Sequence, residues 1–82
     1  MGWSLIPLSD VRVGDSGAVE NVDLKRDDSL RLWELGFLPG AMVRVIRRAP
    51  LGDPIEVEIG GAHLALRRAD AALISVRITA DA

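Results

Sequence analysis

The stretch from Ile55 to Leu66, IEVEIGGAHLAL, decides the fold because it specifies two strands and the way they pair. Apolar residues occupy every second position on both sides of Gly60-Gly61, which is the pattern of two half-buried strands. Two consecutive glycines suit a two-residue hairpin turn, because the central residues of such a turn need positive φ. We therefore predict a β-hairpin with strands at residues 55–59 and 62–66.

The hairpin also predicts a definite register. On one face the facing pairs are Ile59 with Ala62, Val57 with Leu64 and Ile55 with Leu66. On the other face Glu58 faces His63 and Glu56 faces Ala65. A shift by one residue would move the large apolar side chains to the solvent face, so burial of one face specifies this register strongly.

Three further strands are predicted between clusters of glycine, proline and aspartate, at residues 18–22, 41–49 and 73–78. Five short strands and one short helix are too little for a sandwich of two full sheets. A small, strongly bent barrel is the economical arrangement, because closure removes exposed strand edges. The predicted fold is all-β with one short α-helix, a small five-stranded barrel. We expect a single domain over residues 1–82, with its core at residues 5–78.

One helix is predicted, from Ser29 to Leu35. Asp27, Asp28 and Ser29 stand at its beginning, where their side chains can cap exposed backbone amides. Gly36 follows the helix and can adopt the left-handed conformation that ends it.

The composition excludes several classes of function. The chain has no cysteine, which excludes disulfides, cysteine zinc sites, iron–sulfur clusters and thiol nucleophiles. It has one histidine and no catalytic or phosphate-binding motif, so an enzyme is not expected. The net charge of −2 provides no general attraction to nucleic acid or membrane. Neither a signal peptide nor a membrane-spanning run is recognisable, and a cytoplasmic location is expected.

Three ordered blocks of the sequence carry a family resemblance. Residues 32–40, LWELGFLPG, look like the L-x-x-L-G-hydrophobic-x-P-G signature of FeoA-type proteins. Residues 49–55, APLGDPI, resemble the A-P-x-G-D-P-I connection of the same family. The third block, made of LALR at residues 64–67 and ISV at residues 74–76, resembles the closing pattern of the family. The resemblance covers nearly the whole chain.

The resemblance implies a cytosolic SH3-like β-barrel that docks on and modulates FeoB, the GTP-hydrolysing ferrous iron permease. The same domain type is fused to iron- and manganese-dependent repressors, so a metal-responsive regulatory domain is an alternative. The lack of a helix-turn-helix segment favours the transport accessory. We interpret the glycines, prolines and aspartate of the motifs as turn residues that serve the fold. They are Gly36, Pro39, Gly40, Gly52, Asp53, Pro54, Gly60 and Gly61.

The predicted hairpin places His63 opposite Glu58, within reach of a shared cation. Two ligands do not form a high-affinity site, and a surface Glu–His pair is the simpler interpretation. We therefore predict no cofactor, and at most weak, adventitious binding of a divalent metal at these two residues.

The helix carries more apolar surface than one core can cover, because its four large apolar residues are spread over a wide arc. We predict that Leu32 and Trp33 are exposed and bind the partner, while Leu30 and Leu35 face inward. In the alternative arrangement, the N-terminal strip at residues 3–8 folds back and covers them.

Two arginine pairs, Arg47-Arg48 and Arg67-Arg68, form the second candidate surface, a basic patch for an acidic partner or for phosphates. A nucleic-acid-binding barrel is therefore an alternative function, although the negative net charge and the scarcity of aromatic residues oppose it. The same scarcity excludes a conventional polyproline-binding SH3 groove. The expected partner is the cytosolic region of FeoB, with no nucleic acid, no direct membrane insertion, and a monomer or weak oligomer.

Overall fold

The computed structural model describes residues 2–79. Within them lie six β-strands: β1 (Trp3–Pro7), β2 (Ser16–Val22), β3 (Met42–Arg48), β4 (Ile55–Ile59), β5 (Ala62–Leu66) and β6 (Ile74–Thr79). The helices are α1 (Arg26–Glu34) and the short α2 (Arg68–Ala71), and a 3₁₀ turn (Leu8–Asp10) follows β1. No helix in this part of the chain is long and apolar enough to cross a membrane.

The six strands form one antiparallel sheet in the order β1-β6-β2-β3-β4-β5. Inward side chains of β2 to β6, together with Leu8, Leu32 and Phe37, form one buried core. The mostly-β class with one short helix is confirmed, but the predictions of five strands and of closure are wrong. Within residues 2–79, β1 and β5 remain as unjoined edges. Strand β1, WSLIP, lacks the alternation that marks a strand in sequence, and its pairing with β6 defines it.

The predicted hairpin register is confirmed at every pair. Ile55, Val57 and Ile59 of β4 face Leu66, Leu64 and Ala62 of β5, and Glu58 faces His63. Both turn glycines have positive φ, 57° at Gly60 and 82° at Gly61, as a two-residue turn of this kind requires. The three isoleucine and valine side chains of β4 are at most 1% exposed, so this strand lies at the centre of the core.

Helix α1 begins at Arg26, ahead of the predicted start at Ser29. The prediction of side-chain capping is wrong, because no side chain bonds the amides at this helix start. Asp27 and Asp28 lie within the first turn, where the helix dipole favours a carboxylate. The hydroxyl of Ser29 instead donates to the carbonyl oxygen of Leu24 at 3.0 Å.

The same helix ends in a Schellman motif at Gly36, whose φ is 112°. The N–H of Gly36 donates to the carbonyl oxygen of Trp33 at 3.0 Å, and the N–H of Phe37 donates to that of Leu32 at 2.9 Å. This motif commonly brings together the apolar side chains at the positions of Leu32 and Phe37. Both are buried here, at 4% and 0% exposure, so the helix end supplies two side chains to the core.

A second turn, from Leu38 to Ala41, joins the helix end to the sheet. The N–H of Ala41 donates to the carbonyl oxygen of Leu38 at 2.9 Å across Pro39 and Gly40, the residues that a type II turn prefers. The N–H of Gly40 then donates to the carbonyl oxygen of Val19 in β2 at 2.7 Å. The LWELGFLPG block therefore ends the helix and attaches the following segment to the middle of β2.

The APLGDPI block also forms a turn, closed by the N–H of Gly52 donating to the carbonyl oxygen of Ala49 at 2.7 Å. Asp53 does more than bend the chain. Its Oδ1 accepts a hydrogen bond of 3.0 Å from the N–H of Arg68, the first residue of α2. The turn before β4 therefore holds the start of the short helix that follows β5.

Gly17 lies at a close approach of β2 to β6. A Cβ at this position would lie 3.1 Å from the carbonyl oxygen of Arg77 and 3.2 Å from the Cβ of Val76. Glycine inside a strand often marks such an approach of two backbones. Gly17 is a buried residue of β2, which begins two residues before the predicted start at residue 18.

We expect Gly17→Ala to destabilise the protein by about 1–3 kcal/mol, because the added methyl group overpacks the contact with β6. Gly2→Ala is the matched control, since a Cβ at Gly2 meets nothing within 4 Å. Urea unfolding followed by circular dichroism measures both free energies of unfolding. Equal stability of the two variants would contradict the close approach.

Candidate functional site

The exposed side of α1 differs from the one predicted. Leu32 is only 4% exposed and belongs to the core, so the prediction that it is an exposed docking residue is wrong. Trp33 is 47% exposed, as predicted. Leu30 and Leu35, which were expected to face inward, are 43% and 42% exposed. The physical reason is the Schellman motif. It turns Leu32 inward next to Phe37 and leaves Leu30, Trp33 and Leu35 exposed.

The pair Leu30 and Trp33, hereafter the helix patch, lies three residues apart on one flank of α1, where side chains are neighbours. Leu35 lies on the other flank of the helix, and Leu38, 49% exposed, follows the Schellman motif. Sequence reasoning missed Leu30 although a signal was present. An apolar residue on each side of a helix-ending glycine, at the spacing of Leu32 and Phe37, predicts that these two face inward.

The N-terminal strip forms a strand instead of a cover for the helix patch. Residues 3–7 pair with β6 in a regular antiparallel register, from Trp3 with Thr79 to Pro7 with Ser75. Leu8, which follows, is buried in the core. Because Trp33 keeps nearly half of its surface exposed, the helix patch is available to another molecule.

The two arginine pairs lie at the same end of the sheet, where β4 begins. Arg48 pairs with Ile55 on one side, and Arg67 follows Leu66, which pairs with Ile55 on the other side. Their guanidinium groups are largely engaged within the chain. Arg47 Nε lies 2.8 Å from Glu56 Oε2, and Arg67 Nε lies 3.1 Å from Asp70 Oδ2. These exposed ion pairs leave less positive charge for a ligand than the sequence suggests.

Arg48 holds the segment between β1 and β2. Its Nη2 donates two hydrogen bonds of 2.7 Å, to the carbonyl oxygens of Ser9 and Val11. Hydrogen bonds from a charged donor are about twice as strong as neutral ones. Arg48 is half-buried, and its contacts join residues far apart in sequence. Its observed contacts therefore stabilise the fold, while Arg68 is exposed and its guanidinium group forms no ion pair among residues 2–79.

The Glu–His pair on the hairpin is present as predicted, with His63 Nε2 3.3 Å from Glu58 Oε2 on the exposed face. No third metal-binding side chain joins them. Among residues 2–79, no group of three or more histidine, aspartate or glutamate side chains is placed to hold a metal ion. Two exposed ligands bind a divalent cation only weakly.

Comparison with known proteins identifies the family. A family model described as the FeoA domain matches residues 6–78. The chain belongs to the FeoA family. A curated relative, the Fe(2+) transport protein A/Fe(2+) transporter FeoB fusion protein of Porphyromonas gingivalis, is 35% identical over 71 residues, which is 87% of this chain. This FeoA chain spans only 8% of the length of that relative.

Solved FeoA structures show the same fold. FeoA of Chlorobium tepidum is 43% identical with a TM-score of 0.87, over 92% of this chain and 71% of that one. FeoA of Stenotrophomonas maltophilia, an SH3 domain protein in complex with zinc, is 38% identical with a TM-score of 0.73, over 84% and 86%. The SH3-like fold is thereby confirmed, although the sheet is open. FeoA is a small accessory domain associated with ferrous iron transport, and its family is not one of enzymes.

We expect Arg48→Met to lower the free energy of unfolding of this FeoA chain by about 2 kcal/mol, because two backbone carbonyls lose a charged donor. Arg47→Met is the control, since exposed ion pairs contribute about 0–1 kcal/mol. Urea unfolding at the same pH and salt compares the two variants. If Arg47→Met is the more destabilising change, the structural role assigned to Arg48 is wrong.

Anaerobic calorimetry with Fe(II) checks the metal prediction. We expect no saturable binding at micromolar metal, because His63 and Glu58 are exposed and have no third ligand. Stoichiometric binding at micromolar affinity that disappears in His63→Ala would contradict this prediction.

Proposed function

We propose that this FeoA chain is a cytoplasmic accessory of ferrous iron uptake that docks on the cytosolic region of FeoB through the helix patch and modulates its transport. The observation that carries the proposal is the Porphyromonas gingivalis relative, which joins an Fe(2+) transport protein A to FeoB in one chain. Fusion holds two parts at high effective concentration, which is useful when the parts contact each other. A FeoA domain that acts on a transporter needs a contact surface in either arrangement.

The helix patch has the properties of such a surface. Leu30 and Trp33 are large, apolar and nearly half exposed, and tryptophan is enriched at the centres of protein interfaces. Charged residues surround the patch on α1, with Arg26, Asp27 and Glu34 among them. An apolar centre with a charged rim is the usual anatomy of a specific interface.

The two alternative functions receive less support. Nucleic-acid binding depended on the arginine pairs, but Arg47, Arg48 and Arg67 already contact oxygen atoms of the chain itself. Stacking aromatics are also scarce, since the chain has two tryptophans, one phenylalanine and no tyrosine. A metal-responsive regulatory role needs a ligand cluster, and the part of the chain that the structure describes contains none.

Leu30→Gln and Trp33→Ala are expected to weaken association with the purified cytosolic region of FeoB, each by about ten-fold or more if the patch forms the centre of the interface. Leu51→Gln is the matched control, because Leu51 is 92% exposed in the loop before β4. Biolayer interferometry with immobilised FeoB cytosolic region measures the dissociation constants.

Association that is unaffected by Leu30→Gln and Trp33→Ala would show that the helix patch is not the contact. Absence of association for the wild-type chain would reject docking on this region of FeoB altogether. Leu32→Gln does not serve in this experiment, because Leu32 is buried and its replacement tests folding.

A further inference from the structure

A row of exposed side chains crosses four strands on the outer face of the sheet. Leu5 in β1 faces Arg77 in β6, Arg77 faces Ala18 in β2, and Ala18 faces Met42 in β3. We call these four residues the outer row. Leu5 and Met42 are 51% and 59% exposed, so the row presents apolar surface on the side of the sheet that faces away from the core.

Trp3 extends the apolar surface of the outer row. It lies two residues before Leu5 in β1 and therefore on the same face of the sheet, and it is 59% exposed. The guanidinium carbon of Arg77 lies 5.7 Å from the centroid of its ring, a cation–π distance. The cation of Arg77 therefore lies near the ring of Trp3, on the face that also carries Leu5 and Ala18.

Two arginines give this face a positive charge. Arg77 lies in the outer row, and Arg44 lies beside it, two residues after Met42 in β3. Neither forms an ion pair with a carboxylate among residues 2–79. Glu58 is the cross-strand neighbour of Arg44, but its carboxylate contacts His63 instead. An open depression of about 240 Å³ is lined by Met42, Arg44, Glu58 and the Gly60-Gly61 turn.

We propose that this outer face binds an extended acidic segment of a partner protein, whose sheet-facing side chains, at every second position, are in turn aliphatic groups and carboxylates. The aliphatic side chains of the segment pack on Leu5 and Met42, and its carboxylates contact Arg77 and Arg44. The ligand must offer apolar and anionic groups side by side, because Arg77 and Arg44 each have an exposed apolar residue, Leu5 or Met42, as a neighbour on this face of the sheet. Complementary charge gives such a contact its specificity and its rate of association.

The proposal does not rest on docking to FeoB. Leu32 of α1 packs into the core on the inner face of the sheet, whereas the outer row lies on the opposite face. The helix patch and the outer row are therefore separate surfaces. Loss of one contact leaves the other intact, so variants at each surface distinguish them.

The test uses the whole chain and a short fluorescein-labelled peptide of repeated Ser-Leu-Ser-Glu, in which Leu and Glu lie on one face of the extended chain. Fluorescence anisotropy at low salt is expected to show binding, and added salt is expected to weaken it. The double variant Arg44→Glu/Arg77→Glu should weaken binding by about ten-fold or more, through charge repulsion. Arg12→Glu/Arg31→Glu is the control, with the same change of net charge at exposed positions elsewhere. Met42→Ser should also weaken binding, while melting curves verify that every variant is folded.

Several outcomes would overturn the proposal. Equal affinity for a peptide of repeated Ser-Leu-Ser-Lys would show that binding does not require carboxylates. Equal affinity for repeated Ser-Ser-Ser-Glu would show that binding does not require aliphatic side chains. Binding that both double variants weaken equally would reflect net charge alone. Two further results would assign the face to another occupant. One is a dimer, detected by sedimentation, that is lost in Met42→Ser. The other is selective binding to phosphatidylserine vesicles in the absence of peptide binding. No detectable peptide binding at low salt would reject the proposal directly.

Discussion

The burial of Leu32 and Phe37 on either side of Gly36 is the constraint on which the arrangement of the helix and the sheet depends. The Schellman hydrogen bonds hold the two residues close in space, and both side chains enter the core. With Leu32 inside, Leu30 and Trp33 must lie toward solvent. The chain that leaves Phe37 then reaches β2 through the Pro39-Gly40 turn. One short block therefore orients the helix and connects it to the sheet.

The polar residues divide into those that hold the fold and those that remain for ligands. Arg48 bonds two backbone carbonyls of the segment after β1, and Asp53 bonds the first amide of α2. These contacts are long-range, and they join segments that lie far apart in the chain. The remaining surface is apolar on α1 and mixed apolar and basic on the outer face of the sheet. One surface lies on the helix that packs against the inner face of the sheet, and the other lies on the outer face. Two such surfaces suit a small accessory protein that works by contact.

Local patterns predicted the features that depend on near neighbours. The hairpin at residues 55–66 was predicted with its complete register, because the turn and the alternation act within twelve residues. The helix and its glycine stop were also predicted, as was the Glu58–His63 pair. Strand β1 was not, since WSLIP has no period of two and its strand conformation depends on pairing with β6, at the other end of the chain.

The sequence by itself determined the family, the mostly-β class, the turn positions and the absence of cysteine chemistry. These follow from residue types and short spacings. The tertiary structure decided which face of α1 is exposed, that Arg48 serves the fold, and that Leu5, Arg77, Ala18 and Met42 form one row. The physical reason is that burial and cross-strand adjacency depend on residues far apart in the chain. A short helix whose apolar residues are spread over a wide arc offers more than one inward face, and only its packing against the core selects one.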